Sequence, residues 1–246
     1  LLLGCDGVQR PVVDCIHWSH DGQMLVVGSH QFPGRSVQRG EVKSTVVLVH
    51  LGPRAETELL YTETVAGPVA ASWSRTSFAQ FRPDHGGIAL GRLDGKVFLL
   101  ELRGQSRQVI AEMSSPTVSA VAFSDDGGTL VAAARFDIAV CNLRDDTVLH
   151  IHSVVGRPRG ICLSPEGDVL AVAGLDDAAL YDARDGSLRL CLQRDGGMPY
   201  QTVDMTFVEG KDDLILACID ELVQLNVHTR EEVQLLACRD IRAMSI

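Results

Sequence analysis

Five times along the chain a short stretch of alternating apolar and polar residues runs into a polar turn and emerges as an almost unbroken apolar run. The copies read HWSHDGQMLVVGSH from His17, QFRPDHGGIALGRLDG from Gln80, AFSDDGGTLVAAARFD from Ala122, CLSPEGDVLAVAGLDD from Cys162 and TFVEGKDDLILACIDE from Thr206. Alternation before the turn, as at Val118, Val121 and Phe123, predicts a strand with one face against a neighbouring sheet. The turns carry Asp or Glu with Gly and sometimes Pro, residues that preset a tight bend or bond their own backbone. The run that follows, such as Leu130–Ala134 or Leu170–Ala173, is apolar at nearly every position and predicts a strand covered on both faces. An aspartate comes next in four copies (Asp94, Asp137, Asp177, Asp220), then a third run (VFLLEL, IAVCNL, AALYDA, LVQLNV), a polar turn and a fourth strand. No stretch carries a helical period.

Taking Trp18, Phe81, Phe123, Leu163, Phe207 and Ile246 as equivalent points, the separations are 63, 42, 40, 44 and 39 residues. A period near forty is that of a four-stranded propeller blade. The chain is therefore expected to be an all-β, β-propeller-type protein of four-stranded antiparallel blades. Its units span approximately 11–62, 63–111, 112–151, 152–193 and 194–240, and 241–246 forms the first strand of a further blade. Because propellers avoid open sheet edges by closing the ring, five units read as an incomplete segment of a six- to eight-bladed ring, excised from a longer protein. The first unit is lengthened by an insertion over 28–44, and a second extended connection over 71–78 holds Trp73 and Phe78. Long loops on a rigid scaffold are mostly decoration and sometimes recognition elements.

Tyr181-Asp182, followed by ARDGSLRL, is similar to the Trp-Asp passage between the third and fourth strands of WD40-repeat propellers. Leu100-Glu101, Cys141-Asn142 and Leu225-Asn226 occupy the same place in other units, and Met113-Ser114 and Ser153-Val154 stand where that family carries Gly-His. The resemblance implies a WD40-like fold across nearly the whole chain, with an incomplete set of the hydrogen bonds that lock a standard blade. It also implies a scaffold that binds other proteins. The His17 unit by itself resembles blades of the EMAP-like microtubule-associated proteins.

Composition changes this picture in two respects. A formal net charge of −10, with only Lys43, Lys96 and Lys211 as lysines, leaves no clustered cationic surface for a phosphate backbone, so nucleic acid is not an expected partner. Seven cysteines without a CxxC pair give neither a disulfide framework nor a zinc spacing, and a reducing cytoplasm is the expected compartment. No apolar run approaches the roughly 20 residues of a membrane span.

Catalytic and metal chemistry finds little support. His17 and His20 form HxxH, but on a strand they point to opposite faces. His150 and His152 share a strand face with no carboxylate near them in sequence. There is no GxSxG elbow, P-loop or dinucleotide fingerprint. The paired carboxylates Asp125-Asp126 and Asp176-Asp177 follow the repeated turns, and Asp94, Asp137, Asp177 and Asp220 read as structural aspartates bonding the backbone between strands two and three. No cofactor and no enzyme activity are expected. The alternative is a propeller hydrolase or lactonase with a metal in the central channel, which needs several polar side chains converging on the axis. The innermost strand positions are instead apolar or small. What remains is a loop face that would present Arg92, Arg135, Phe136, Arg157, Arg159 and Tyr200. Guanidinium groups beside aromatics suit an acidic or phosphorylated peptide of a protein partner. Pairing of each arginine with a neighbouring aspartate is the competing reading.

Overall fold

The computed structural model describes residues 11–31, 42–65, 76–104, 106–174, 177–192, 202–208, 210–219 and 221–237. These residues form twenty strands and, among them, no helix. The first four-stranded antiparallel sheet is β1 (Val12–Trp18), β2 (Met24–Gln31), β3 (Val42–His50) and β4 (Glu56–Val65). The second is β5 (Thr76–Phe81), β6 (Gly87–Arg92), β7 (Lys96–Glu101) and β8 (Ser106–Glu112). The third consists of β9 (Ala120–Phe123), β10 (Thr129–Ala134), β11 (Asp137–Asn142) and β12 (Thr147–His152). The fourth comprises β13 (Gly160–Leu163), β14 (Val169–Ala173), β15 (Ala178–Asp182) and β16 (Leu188–Leu192). The fifth is β17 (Thr202–Phe207), β18 (Asp213–Cys218), β19 (Glu221–Asn226) and β20 (Glu232–Ala237). In every sheet sequence neighbours pair antiparallel, so each blade is a four-stranded meander. The first two sheets belong to one compact unit and the last three to another. The strand expected over 241–246 lies outside the described residues.

Stacked sheets explain the unbroken apolar runs. In the second unit the even positions Leu170 and Val172 of β14 join Val131, Ile138 and Ile161 in one core, while the odd positions Val169, Ala171 and Ala173 join Leu214, Leu216 and Val223 in the next. A strand with period-two alternation but neighbours on both faces needs apolar side chains throughout. The first unit repeats this on a smaller scale, with Val26, Val46 and Leu48 packed on Phe81, Ile88, Leu90 and Phe98. The fourth strands carry most of the solvent-facing positions, as β12 and β16 show.

The repeated first turn is a side-chain cap closed by a left-handed residue. Ser124 Oγ receives the Thr129 N–H at 2.9 Å and donates to Asp126, whose Oδ1 takes the Gly128 N–H at 2.7 Å. Ser19 with Asp21 and Ser164 with Asp168 make equivalent hydroxyl-to-carboxylate pairs. Gly22, Gly127 and Gly167, each three residues after the serine, sit at φ between +65° and +71°, where only glycine is unstrained; blade two places His85 at the matching position at +57°. The turn between strands three and four is built on the second residue of the Trp-Asp position. Asn142 Oδ1, Asp182 Oδ1 and Asn226 Oδ1 accept the N–H two residues on, and a left-handed Asp146, Gly186 or Arg230 ends each turn. Asn therefore replaces Asp here without losing the acceptor.

These caps make stability pH-dependent in a defined direction. The Ser124 hydroxyl and Gly128 N–H hold Asp126 below the ordinary carboxylate value. Arg82 does so for Asp84 and Arg189 for Asp182. A carboxylate whose folded value lies below its unfolded one adds stability that is complete above the unfolded value, about 4, and is lost as pH falls through the folded value. Asp204, pushed up by burial, contributes with the opposite sign. Thermal unfolding followed from pH 7 down to pH 2.5 is expected to show a midpoint that falls below about pH 4. A midpoint unchanged down to pH 3 would contradict the capped turns.

Candidate protein-interaction site

Three of the arginines singled out by sequence come together on the second unit. Strands β10 and β11 are joined by the two-residue loop Arg135-Phe136, with Ala134 and Asp137 as the last paired residues. Arg135 sits at φ +52° and its guanidinium lies 5.6 Å from the Phe136 ring centroid. Phe136, 39% exposed, stacks in turn on His152 of β12 at 6.1 Å. The loop from Ser153 to Arg159 runs alongside. Ser153 N–H donates to the Phe136 carbonyl at 2.8 Å and Arg157 N–H to the Arg135 carbonyl at 3.0 Å. Arg157 is itself left-handed, at φ +53°, and Arg159 N–H is fixed to the Ala173 carbonyl at 2.7 Å. Both backbones at the arginines are thus held in a conformation that side-chain-bearing residues adopt at a cost of order 1–3 kcal/mol.

A buried tyrosine and an aspartate anchor the loop from below. Tyr181 of β15, 1% exposed, accepts the Val154 N–H at 2.8 Å and shares a hydrogen bond with Ser153 Oγ at 3.2 Å. Ser153 Oγ also receives the Val155 N–H, and Asp177 Oδ2 takes the Gly156 N–H at 3.0 Å. A Cβ on Gly156 would stand 3.1 Å from the Phe136 ring, so a side chain there would press on the hairpin tip.

Arg135, Arg157 and Arg159 are exposed, and none has a carboxylate partner among the described residues. The unit therefore displays three exposed arginines, one over the half-exposed Phe136 ring and two on the loop bonded to that hairpin, with His152 and Val154 also exposed. His152 was expected on a strand face and Val154 at the place of the missing Gly-His pair, but neither was assigned to this surface. Their signal was the outward alternation of the fourth strand and its continuation into the loop.

Arg92 is a different case. It occupies the position in β6 that corresponds to the end of β10, but only 5% of it is exposed. Nη1 donates to Glu63 of β4 at 2.5 Å and Nη2 pairs with Asp94 at 2.8 Å, while the guanidinium lies 5.3 Å from the Phe98 ring centroid. Tyr61 hydroxyl donates to the same Glu63 carboxylate. Arg92 is thus consumed inside its unit. Across the strand register from Glu63 lie Ser44, then His30, whose Nδ1 meets both Asp14 oxygens at 2.9 Å; Ser44 Oγ is buried and has no partner.

The structural aspartates divide in the same way. Asp94 takes the Lys96 N–H at 3.1 Å within its own turn. Asp137 and Asp177 reach instead into the loop entering their blade, Asp137 accepting the Ser114 N–H at 2.5 Å and meeting His150 Nδ1 at 3.1 Å. Burial opposes ionisation of Asp137, but these two bonds outweigh it and hold the group below its ordinary value. Pairing across β11 and β12 supplies the carboxylate that His150 lacks in sequence. Tyr200 and Asp220 lie outside the described residues, as do Trp73 and positions 32–41 of the insertion.

Among the described residues no three His, Cys, Asp or Glu side chains stand within reach of one metal ion. Burial raises the Cys15 thiol to about 11 and that of Cys141 to about 12, so neither is an available thiolate at neutral pH. No helix among the described residues is long and apolar enough to cross a membrane.

The chain is similar to a chain in the crystal structure of the mitotic checkpoint complex, with a TM-score of 0.69 at 14% identity, over 94% of this chain and 70% of that one. The fold is a WD40-like β-propeller fold of four-stranded antiparallel blades. With 1462 solved chains matching, the likeness identifies architecture and leaves the task of these particular WD40-like blades to their own surface. No family model and no curated protein matches the sequence.

Proposed function

We propose that the chain is a non-catalytic protein-interaction scaffold of a cytoplasmic assembly, and that its second unit takes an acidic or phosphorylated peptide segment on Arg135, Phe136, Arg157 and Arg159. The observation that carries this reading is the contrast among its arginines. Where an arginine serves the fold, as Arg92, Arg82 and Arg189 do, carboxylates of the chain surround it. The three rim arginines have none among the described residues, although the chain carries ten more negative than positive charges. An overall acidic protein whose described carboxylates all leave these three aside has a cationic patch for a carboxylate or phosphate, which guanidinium binds in bidentate fashion. Phe136 offers an apolar platform beside it, and aromatic and arginine side chains together are typical anchors of an interface.

The test is fluorescence anisotropy with fluorescein-labelled peptide pools that are neutral, Asp/Glu-rich or phosphoserine-containing. Acidic or phosphorylated pools are expected to bind in preference, with affinity that falls as salt is raised. The pair Arg157→Glu and Arg159→Glu is expected to weaken binding at least about tenfold, because a charge-assisted hydrogen bond contributes roughly 1.5–3 kcal/mol. Its unfolding free energy should stay within about 0.5 kcal/mol of the parent. Equal binding of neutral pools, or of the doubly reversed variant, would refute the reading.

A further inference from the structure

The first unit holds a cavity that the interaction face does not use. It opens between β4 of the first blade and β7–β8 of the second, with a volume of about 350 Å³, at the small end of the range of ligand sites. Leu60, Leu100 and Leu102 supply its apolar lining; Tyr61, Glu63 and Arg107 stand on its polar wall.

The charges on that wall are not equivalent. Glu63 is held by Arg92 at 2.5 Å, and Glu101, also at the cavity, is held by Arg82 at 2.8 Å. Both anions are thus neutralised by arginines at short range. Arg107 has no ion pair and no hydrogen-bond acceptor among the described residues; its charge is felt by Glu63, which Arg92 already pairs. Its guanidinium is held against two aromatic rings, 4.5 Å from the Tyr61 centroid and 4.8 Å from that of Phe98. Stacking of this kind restrains the group and leaves its N–H donors for an acceptor. An exposed arginine on a flexible stem is ordinarily mobile. This one is positioned at the mouth of an apolar cavity.

We infer that this cavity is a binding site for a small amphipathic organic anion, a carboxylate on an aliphatic body, with the carboxylate on Arg107 and the hydrocarbon against Leu60, Leu100 and Leu102. A neutral or cationic molecule of the same shape would fill the apolar part and leave the guanidinium without a partner. Selection for the anion follows from that difference.

Isothermal titration of the full chain with octanoate, octan-1-ol and octylamine tests this directly. Octanoate is expected to saturate one site per chain, with the alcohol and the amine at least tenfold weaker. Arg107→Gln should weaken octanoate at least tenfold and leave the alcohol unchanged. Leu102→Trp, which fills the cavity without touching the charge, should weaken octanoate and octanol alike. The Arg157→Glu/Arg159→Glu pair should bind octanoate as the parent does, so that failure here and failure of the proposed interaction face are read separately. Absence of saturable octanoate binding, equal binding of octan-1-ol, retention of octanoate by Arg107→Gln or by Leu102→Trp, or loss of octanoate in the Arg157→Glu/Arg159→Glu pair would each overturn the assignment. Thermal unfolding of each variant distinguishes a lost site from a lost fold.

Discussion

Tyr181→Ala is expected to cost the second unit about 4 kcal/mol, the range for truncating a fully buried aromatic side chain. Two losses combine in it. The ring lies in the core between the third and fourth blades with Leu170, Val172, Ile138 and Ile161, and its removal opens a cavity there. The hydroxyl accepts the Val154 N–H and bonds Ser153, so the entering loop loses its anchor as well. Tyr181→Phe separates the two: it keeps the packing and removes the hydrogen bonds, for an expected cost of about 1–2 kcal/mol. Urea denaturation of both variants gives the comparison. Because Ser153 to Arg159 carries two of the three rim arginines, Tyr181→Phe is also expected to weaken acidic-peptide binding without altering a rim side chain. If Tyr181→Phe unfolds at the same urea concentration as the parent, the hydroxyl does not hold the loop.

Tyr181 also shows how far this fold could be read from the chain. Its place beside Asp182 was legible because the turn it precedes needs a side-chain acceptor two residues before an N–H, and Asp182, Asn142 and Asn226 all provide one. The turns between strands one and two were legible for a similar local reason, a hydroxyl and a carboxylate within five residues of the groups they cap. What replaces the missing Gly-His pair was not legible. Ser153 meets Tyr181 across 28 positions of sequence, and Asp137 meets Ser114 across 23, pairings that only the stacking of one strand against the next loop creates. The absence of the usual residues implied an incomplete polar lock with more of the stability resting on apolar burial; the Ser153 and Tyr181 hydroxyls supply part of that lock.

The arginines make the same distinction at the candidate site. Arg92 and Arg135 each follow a second apolar run and each precede an aspartate closely, so local pattern treats them alike. Arg135 lies in a two-residue hairpin, with a left-handed backbone and no carboxylate at hand. Arg92 still belongs to its strand, pointing into a space where Glu63, 29 residues earlier on another blade, already waits. A loop residue could be assigned to the surface from sequence. Whether a strand-end residue is buried depends on the neighbouring sheet.

Arg92→Met is accordingly expected to destabilise the first unit by about 3 kcal/mol, because removing one member of a buried ion group leaves the others uncompensated. Glu63 and Asp94 would keep their charges in partly buried positions, and the Tyr61 hydroxyl alone would remain on Glu63. Methionine preserves most of the stem's packing against Phe98, so the loss reads charge more than volume. Adding Glu63→Gln to Arg92→Met is expected to recover roughly half of that loss, since one stranded carboxylate is then gone. Such recovery would distinguish a desolvated cluster from a surface pair, for which both changes would stay within about 1 kcal/mol. Arg92→Glu, which would set three carboxylates together, is expected to leave the first unit unfolded at 37 °C. For that reason a charge-reversal experiment on the interaction face has to leave Arg92 in place: a loss of binding in a variant that includes it would report the collapse of an ion cluster, and only Arg135, Arg157 and Arg159 can be reversed with the fold intact.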